Sequence, residues 1–351
     1  MRPFFICRRA ALPYSTATRP AEKKSFMPNA CQLCLSTDFE TVSGADRHGQ
    51  PLHTVLCLGC GSITNDPIPD EAELAEFYRS QYRVEYKGAA EPRMRQIWRN
   101  FSRVRDHMRD NRQFYTGRKT CLDLGSGSGE FMFLAREIGL ECIGIEPNTG
   151  YAAYSRDKLG LNVLVQAIED TSFPAGKFDL IRLSHVLEHM RDPVRSLATL
   201  RDWLADDGLL YIEVPNIRAE AAQKVRGKLF HYGHIFNFSP PTLQAAAALA
   251  GLELHPQSRR LHADMTLGFF RKGRTITHAE AANPENARIM SAAMRAHRSR
   301  LLPAPEKQSA LARGVASITS RLTEILRSRR FASPRAIADD FAGLVRNDFA
   351  K

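Results

Sequence analysis

Three groups of residues in the 351-residue chain have types and spacings that could do chemistry. The first is two CxxC pairs, Cys31 with Cys34 and Cys57 with Cys60. Each pair can wrap one side of an ion on a short knuckle, and four thiolates complete a tetrahedral structural zinc site with no open position. A redox-active pair or an iron site are the alternatives for the same residues. The second is the stretch CLDLGSGSGEF, residues 121–131, in which Gly125, Ser126, Gly127 and Gly129 follow an apolar run ending in Asp123. Glycines there let the backbone turn sharply and approach a ligand closely. The third joins SHVLEHMRDP (184–193) and HYGHIFNFS (231–239), which contribute His185, Glu188, His189 and His234. Imidazoles titrate near neutrality and suit proton transfer, and a carboxylate can orient one of them. The bland alternative for a lone histidine such as His185 is a structural role.

These groups need elements to position them. Residues 28–63 are poor in large apolar side chains, and DFETVSGADRHGQPLHTVLC alternates as two short strands around a turn. A metal staple explains how so small a segment folds. Asp70 is a candidate N-cap for a helix through EAELAEFY, and Met94, Ile97, Trp98, Phe101, Val104 and Met108 mark one face of an amphipathic helix. From 119 to about 270, strand and helix patterns alternate: KTCLDLG, ECIGIEP, NVLVQA, KFDLIRLS and LLYIEVPN as strands, then a helix running into a sixth strand, and MTLGFFRK as the last. A helix capped by Asp192 and Pro193 reads as continuing to Gly208. Such alternation predicts a Rossmann-like, doubly wound, mostly parallel α/β sheet of seven strands. The Ala- and Arg-rich segment after 272 reads as helical, with Leu311, Val315, Ile318, Leu322 and Ile325 on one stripe; packing on the domain is the commoner outcome for such a stripe, and pairing with another subunit or meeting an anionic surface are the alternatives.

The glycine turn then lies where an open sheet binds its ligand. Glu146 closes the second strand and is placed to accept hydrogen bonds from ribose hydroxyls. A dinucleotide would want GxGxxG, but the last position is Glu130, which would repel a pyrophosphate. Asp123 and Glu130 suit a ligand carrying a sulfonium and an amino group.

Charge sharpens this reading. Of the net +11, residues 1–30 carry +5 and 271–351 carry +9, which leaves −3 for the rest. A nucleic-acid partner would want the basic residues around the cleft, so the charge map argues against one. No uncharged apolar run reaches the length of a membrane span. The first 26 residues loosely resemble a mitochondrial transit peptide, and the competing reading takes Met27 as the start. With no secretory signal evident and cysteines spaced for a metal, a cytoplasmic location is expected. The expected organisation is a basic, disordered leader (1–27), a zinc-ribbon-like module (28–65), a helical linker or lid (66–118), the α/β domain (119–272) and a basic helical extension (273–351).

DLGSGSG (123–129), IEP (145–147), IEDTSFPAGKFDLI (168–181) and LSHVLEHMRDP (183–193), in that order, resemble the class I S-adenosylmethionine-dependent methyltransferases. The resemblance implies that Gly125, Ser126 and Gly127 lie under the methionine part, that Glu146 binds the ribose with Pro147 beside the adenine, and that Ala167, Ile168 and Glu169 flank the adenine ring. Many members have an Asp where this chain has Ala167. Ser184 and His185 would face the methyl group. The cysteine pairs, followed by GSITNDPIPDEAELAEFYRSQY, are similar to the N-terminal zinc-binding module of a group that includes nucleotide-sugar C-methyltransferases. Those enzymes carry a tyrosine–histidine–glutamate–histidine run where this chain has His231, Tyr232, Gly233 and His234. C-methylation needs a base for a carbon-bound proton, and Gly233 stands where that carboxylate would be.

The expected function is therefore methyl transfer to a small molecule or glycan, with a sugar hydroxyl as acceptor and His185, His189 or His234 as base, Glu188 orienting one of them. C-methylation of a nucleotide-linked keto-sugar and a non-catalytic binding or scaffold role are the alternatives. The oligomeric state is not legible.

Overall fold

In the computed structural model, the described residues are 30–70, 73–74, 92–168, 170–258, 265–299 and 322–350. The expected leader, most of the acidic helix after Asp70, Glu169, and Leu311, Val315 and Ile318 of the basic stripe lie outside them.

Two sheets organise the chain. The larger runs in the order β10-β11-β8-β7-β4-β5-β6. Its parallel part comprises β4 (Thr120–Leu124), β5 (Glu141–Ile145), β6 (Val163–Leu164), β7 (Phe178–Ser184) and β8 (Leu204–Pro215). The edge formed by β10 (Leu252–Leu254) and β11 (Met265–Lys272) is antiparallel. Strand alternation sends successive side chains into opposite layers. Thus Leu122, Leu124, Ile181, Leu183, Leu210 and Ile212 enter one core, while Cys121, Leu180, Leu209 and Tyr211 enter the other.

The helices follow their caps. In α1 (Met94–Asp110), Ile97, Phe101 and Met108 are buried on one face. After α2 (Glu130–Arg136), α3 (Thr149–Leu159) starts where Asn148 accepts from the Tyr151 amide and stops at left-handed Gly160. Asp192 caps α4 (Pro193–Trp203), with Pro193 in the first turn. Asn216 caps α5 (Ile217–Gln223), and Ser239 with Thr242 box the start of α6 (Pro240–Leu249).

The sequence pattern carried α4 on to Gly208, but the helix ends at Trp203, and Leu204 already pairs with Phe178. Gly208 does not stop a helix. A Cβ there would lie 2.9 Å from the carbonyl oxygens of Ala205 and Phe178, so glycine permits close strand approach. The third strand is also shorter than NVLVQA, because Gln166 and Thr171 turn the chain through a 2.6 Å hydrogen bond.

The smaller sheet has the order β1-β2-β3-β9, where β1 (Phe39–Ala45), β2 (Pro51–Cys57) and β3 (Ile63–Asn65) surround the cysteines and β9 (Phe236–Asn237) comes from HYGHIFNFS. The cysteine module therefore shares a sheet with a segment more than 170 residues downstream.

The basic C-terminal region divides. Helix α7 (Pro284–Ser299) covers the module: Asn286 donates to the Cys60 carbonyl at 2.8 Å, and Arg298 binds Glu40 at 2.9 Å. Helix α8 (Pro334–Phe349) lies on α1 and α2. Phe341 stacks on Phe101 at 5.7 Å, and Arg105 grips Asp348 through two bonds of 2.7 and 3.1 Å.

Candidate active site and metal centre

The parallel strands bring their carboxyl ends together at one edge of the sheet, and Leu124 pairs with Leu183 there. The glycine turn and the β7 exit consequently leave the sheet side by side. Gly125, Gly127 and Gly129 all have positive φ. A Cβ on Gly125 would lie 2.6 Å from Cγ2 of Val186, and one on Gly129 would lie 2.5 Å from Cδ1 of Leu161. Any side chain at Gly125 would push the turn away from the loop that carries His185.

Glu146 ties the turn to the end of β5. Its carboxylate accepts from the Gly127 and Asn148 amides, each at 2.9 Å. Ser126 donates its amide to the Ile145 carbonyl, and Ser155 Oγ donates to the Gly127 carbonyl at 3.1 Å. Pro147 follows in the same bend. Ala167 and Ile168 stand beyond β6, where the Ala167 carbonyl accepts from Thr171 Oγ1 at 2.8 Å.

Asp123 is fully buried. Arg182 donates to it at 2.9 Å and also lies over the Phe131 ring. Burial raises the Asp123 carboxyl's pKa despite that arginine. Glu130 likewise faces inward, accepting from Ser128 Oγ at 2.7 Å and Asn100 Nδ2 at 3.0 Å. Arg182 and Asn100 escaped the sequence reading, although an arginine inside the apolar run DLIRLS was a signal for a buried pair.

At the end of β7, Ser184 Oγ donates to Glu213 at 2.9 Å, and Tyr211 donates to the same oxygen at 3.2 Å. Glu213 was also missed, though it interrupts the apolar run LLYIEVP. Burial opposes its charge, but His185, Arg182, Arg103 and His107 outweigh burial and lower its pKa.

His185 follows with φ +58 and its amide on the Glu213 carbonyl at 2.8 Å. Its Nδ1 stands 3.5 Å from Glu188, while 41% of the side chain is open to the surface. Burial pulls its pKa down, but Glu188 and Glu213 more than compensate, and the net direction is up.

His189 donates Nδ1–H to the Gly233 carbonyl at 2.5 Å, which docks the 231–239 segment against the end of β7. The His189 and His234 rings are 5.0 Å apart at 80°, and His231 is 5.3 Å from His234. Burial lowers the pKa of all three, to about 3 for His231. The structure therefore assembles His185, Glu188, His189 and His234 from two distant segments, with His185 the ring that opens outward.

The four cysteines converge at the module's edge. Cys31 and Cys60 sulfurs are 3.6 Å apart, Cys34 and Cys57 are 3.5 Å apart, and all four lie within 4.8 Å. A tetrahedral ion with ~2.3 Å bonds to sulfur needs edges of about 3.8 Å, so the set fits zinc. The Leu33 and Gly59 amides point at Cys31 and Cys57 sulfurs at 3.4 and 3.3 Å, as a knuckle requires. A Cβ on Gly59 would crowd Cys34 Sγ at 2.9 Å.

No helix among the described residues is long and apolar enough to cross a membrane.

Residues 99–257 match the family model of a methyltransferase domain. No curated protein matches the chain. Among solved structures, the chain is similar to a 1,6-didemethyltoxoflavin-N1-methyltransferase from Burkholderia thailandensis with bound 1,6-didemethyltoxoflavin and S-adenosylhomocysteine. The identity is 18%, over 60% of this chain and 96% of that one, with a TM-score of 0.45. It is also similar to the CcbJ methyltransferase from Streptomyces caelestis, at 14% identity over 48% and 89% of the two chains and a TM-score of 0.41. For an S-adenosylmethionine-dependent methyltransferase from Aquifex aeolicus the figures are 19%, 51%, 98% and 0.39. The seven-stranded sheet, the glycine turn at its carboxyl edge and the family match agree: residues 99–257 of the chain carry a methyltransferase domain in a Rossmann-like fold.

Proposed function

We propose that the chain methylates a hydroxyl of a small molecule or glycan, with a sugar hydroxyl as the acceptor. The observation that carries this reading is His185, an outward-facing imidazole fixed at the end of β7 beside the glycine turn. The same reading assigns Gly125, Ser126, Gly127 and Gly129 to the methionine part of the cofactor, Glu146 to its ribose, and Pro147, Ala167, Ile168 and Glu169 to its adenine. Asp123 supports the turn from behind through Arg182.

Bound S-adenosylmethionine supplies an electrophilic methyl carbon. His185 would take the proton of the acceptor hydroxyl as its oxygen accepts the methyl group, the sulfonium sulfur being the leaving group. Ser184 and Glu213 hold the strand end that carries the base, and Glu188 stands behind the ring. The 231–239 segment walls the acceptor, and holding the acceptor in line contributes the largest share of the rate, on the order of 7–11 kcal/mol at ideal alignment. The four cysteines hold a structural zinc that fixes β9, and with it this wall.

Calorimetry with S-adenosylmethionine, followed by labelled-methyl transfer to a panel of hydroxylated sugars and glycans, tests the reading. Absence of cofactor binding would replace it with a scaffold role. Deuterium exchange at a carbon beside a keto group would replace it with C-methylation.

A further inference from the structure

We propose that Glu188, His189 and His234 bind a divalent transition-metal ion of the zinc, cobalt or iron(II) class, in a second metal site apart from the four cysteines. One carboxylate and two imidazoles offer ligand atoms within 4.8 Å of one another. Ligands at ~2.0–2.2 Å around a tetrahedral ion stand about 3.4 Å apart, so the cluster needs to contract by less than about 1.5 Å.

Glu188 supplies the independent observation. Its side chain is 2% exposed, and neither carboxylate oxygen accepts a hydrogen bond from any described residue. Buried carboxylates are hydrogen-bonded, paired or bound to a metal, because an unsatisfied one is costly. The charged candidate nearest to it is His185 at 3.5 Å, longer than an ordinary hydrogen bond. A carboxylate has about four lone-pair sites, enough for a cation and for that ring.

His189 is oriented as a ligand. Its Nδ1–H goes to the Gly233 carbonyl, which makes Nε2 the basic nitrogen, and Nε2 stands 3.9 Å from Glu188 Oε1. A backbone carbonyl on the far ring nitrogen is the usual support of a metal-bound histidine. His234 comes from the opposite wall, its amide held by the His231 carbonyl at 3.0 Å. Two histidines and a carboxylate form a ligand set that leaves a position open for a water or an acceptor oxygen. The site goes beyond the hydroxyl reading and does not depend on it.

The test uses full-length protein stripped with a chelator and titrated with Co²⁺ and with Zn²⁺, metal content being read by mass spectrometry. Two equivalents are expected per chain. One gives thiolate-to-cobalt charge transfer from the cysteines, and the other gives weak d–d bands without it. Glu188→Gln, His189→Ala and His234→Ala each retain the thiolate spectrum and lose the second equivalent, by more than the ~10–100-fold expected for an outer partner. His185→Ala keeps both. The proposal is overturned if wild-type protein stops at one equivalent with a thiolate spectrum, or if the second equivalent survives in Glu188→Gln and His189→Ala. The wild-type titration decides the matter even if a variant fails to fold. A wild-type titration that stops at one equivalent while methyl transfer is retained would overturn the metal and leave the hydroxyl reading intact.

Discussion

Two buried carboxylates flank the end of β7, and they are treated in opposite ways. Glu213 accepts from Ser184 and Tyr211 and has Arg103 at 3.6 Å, so its charge is satisfied in place. Glu188 is equally hidden yet accepts no hydrogen bond from a described residue. The first is built into the strand as a fixed strut. The second belongs to a short turn between the imidazoles of His185 and His189. The two acids thus differ less in burial than in the number of described hydrogen-bond donors that face them.

The widest expected gap is in turnover. His185, whose ring lies in the fields of both carboxylates, should lose about 10²–10⁴-fold in kcat on replacement by Ala, with cofactor affinity unchanged in calorimetry. A loss below tenfold would shift the base elsewhere. Next comes stability. Glu213→Met should cost about 1–3 kcal/mol in denaturant unfolding, because it leaves the Ser184 and Tyr211 hydroxyls without their acceptor. The same change at Glu188, measured in metal-free protein, should be neutral or stabilising by up to about 2 kcal/mol. Equal costs at both positions would erase the distinction. The smallest effect is in acid. Glu213 has a pKa held below its ordinary value of 4.5 by His185, Arg182, Arg103 and His107 against the pull of burial. Its contribution is thus present above the unfolded value and lost as pH falls through the folded one. The melting-temperature advantage of wild type over Glu213→Gln should shrink over that interval. A constant advantage would mean that Glu213 acts through packing.

Much of this was legible beforehand, where local rules and the fold agree. The glycine turn, the strands before and after it, the Asp192–Pro193 helix start and the four cysteines all follow from short-range chemistry. What was not legible depends on distant partners. Gly208 looked like a helix stop because a glycine after an amphipathic run is the usual signal, yet its neighbour across the sheet decides its role. Asp123 looked like a ligand contact, and nothing near it in the sequence shows that Arg182, 59 residues away, donates to one of its oxygens. The basic tail read as one extension, but α7 and α8 lie on different bodies: Glu40 and Asn286 hold one, Phe101 and Arg105 the other.

The pairing of β3 with β9 has a mechanical consequence. Ile63 and Thr64, three and four residues past Cys60, are laced to Asn237 and Phe236, and Asn65 reaches the Tyr232 carbonyl at 3.1 Å. Slack at the cysteines would thus be felt first by the 231–239 segment, the proposed acceptor wall, while the glycine turn on the other sheet stays anchored to β5. Gentle chelation should raise KM for the acceptor before it alters the cofactor's Kd, so metal content would act as a tension setting on substrate grip.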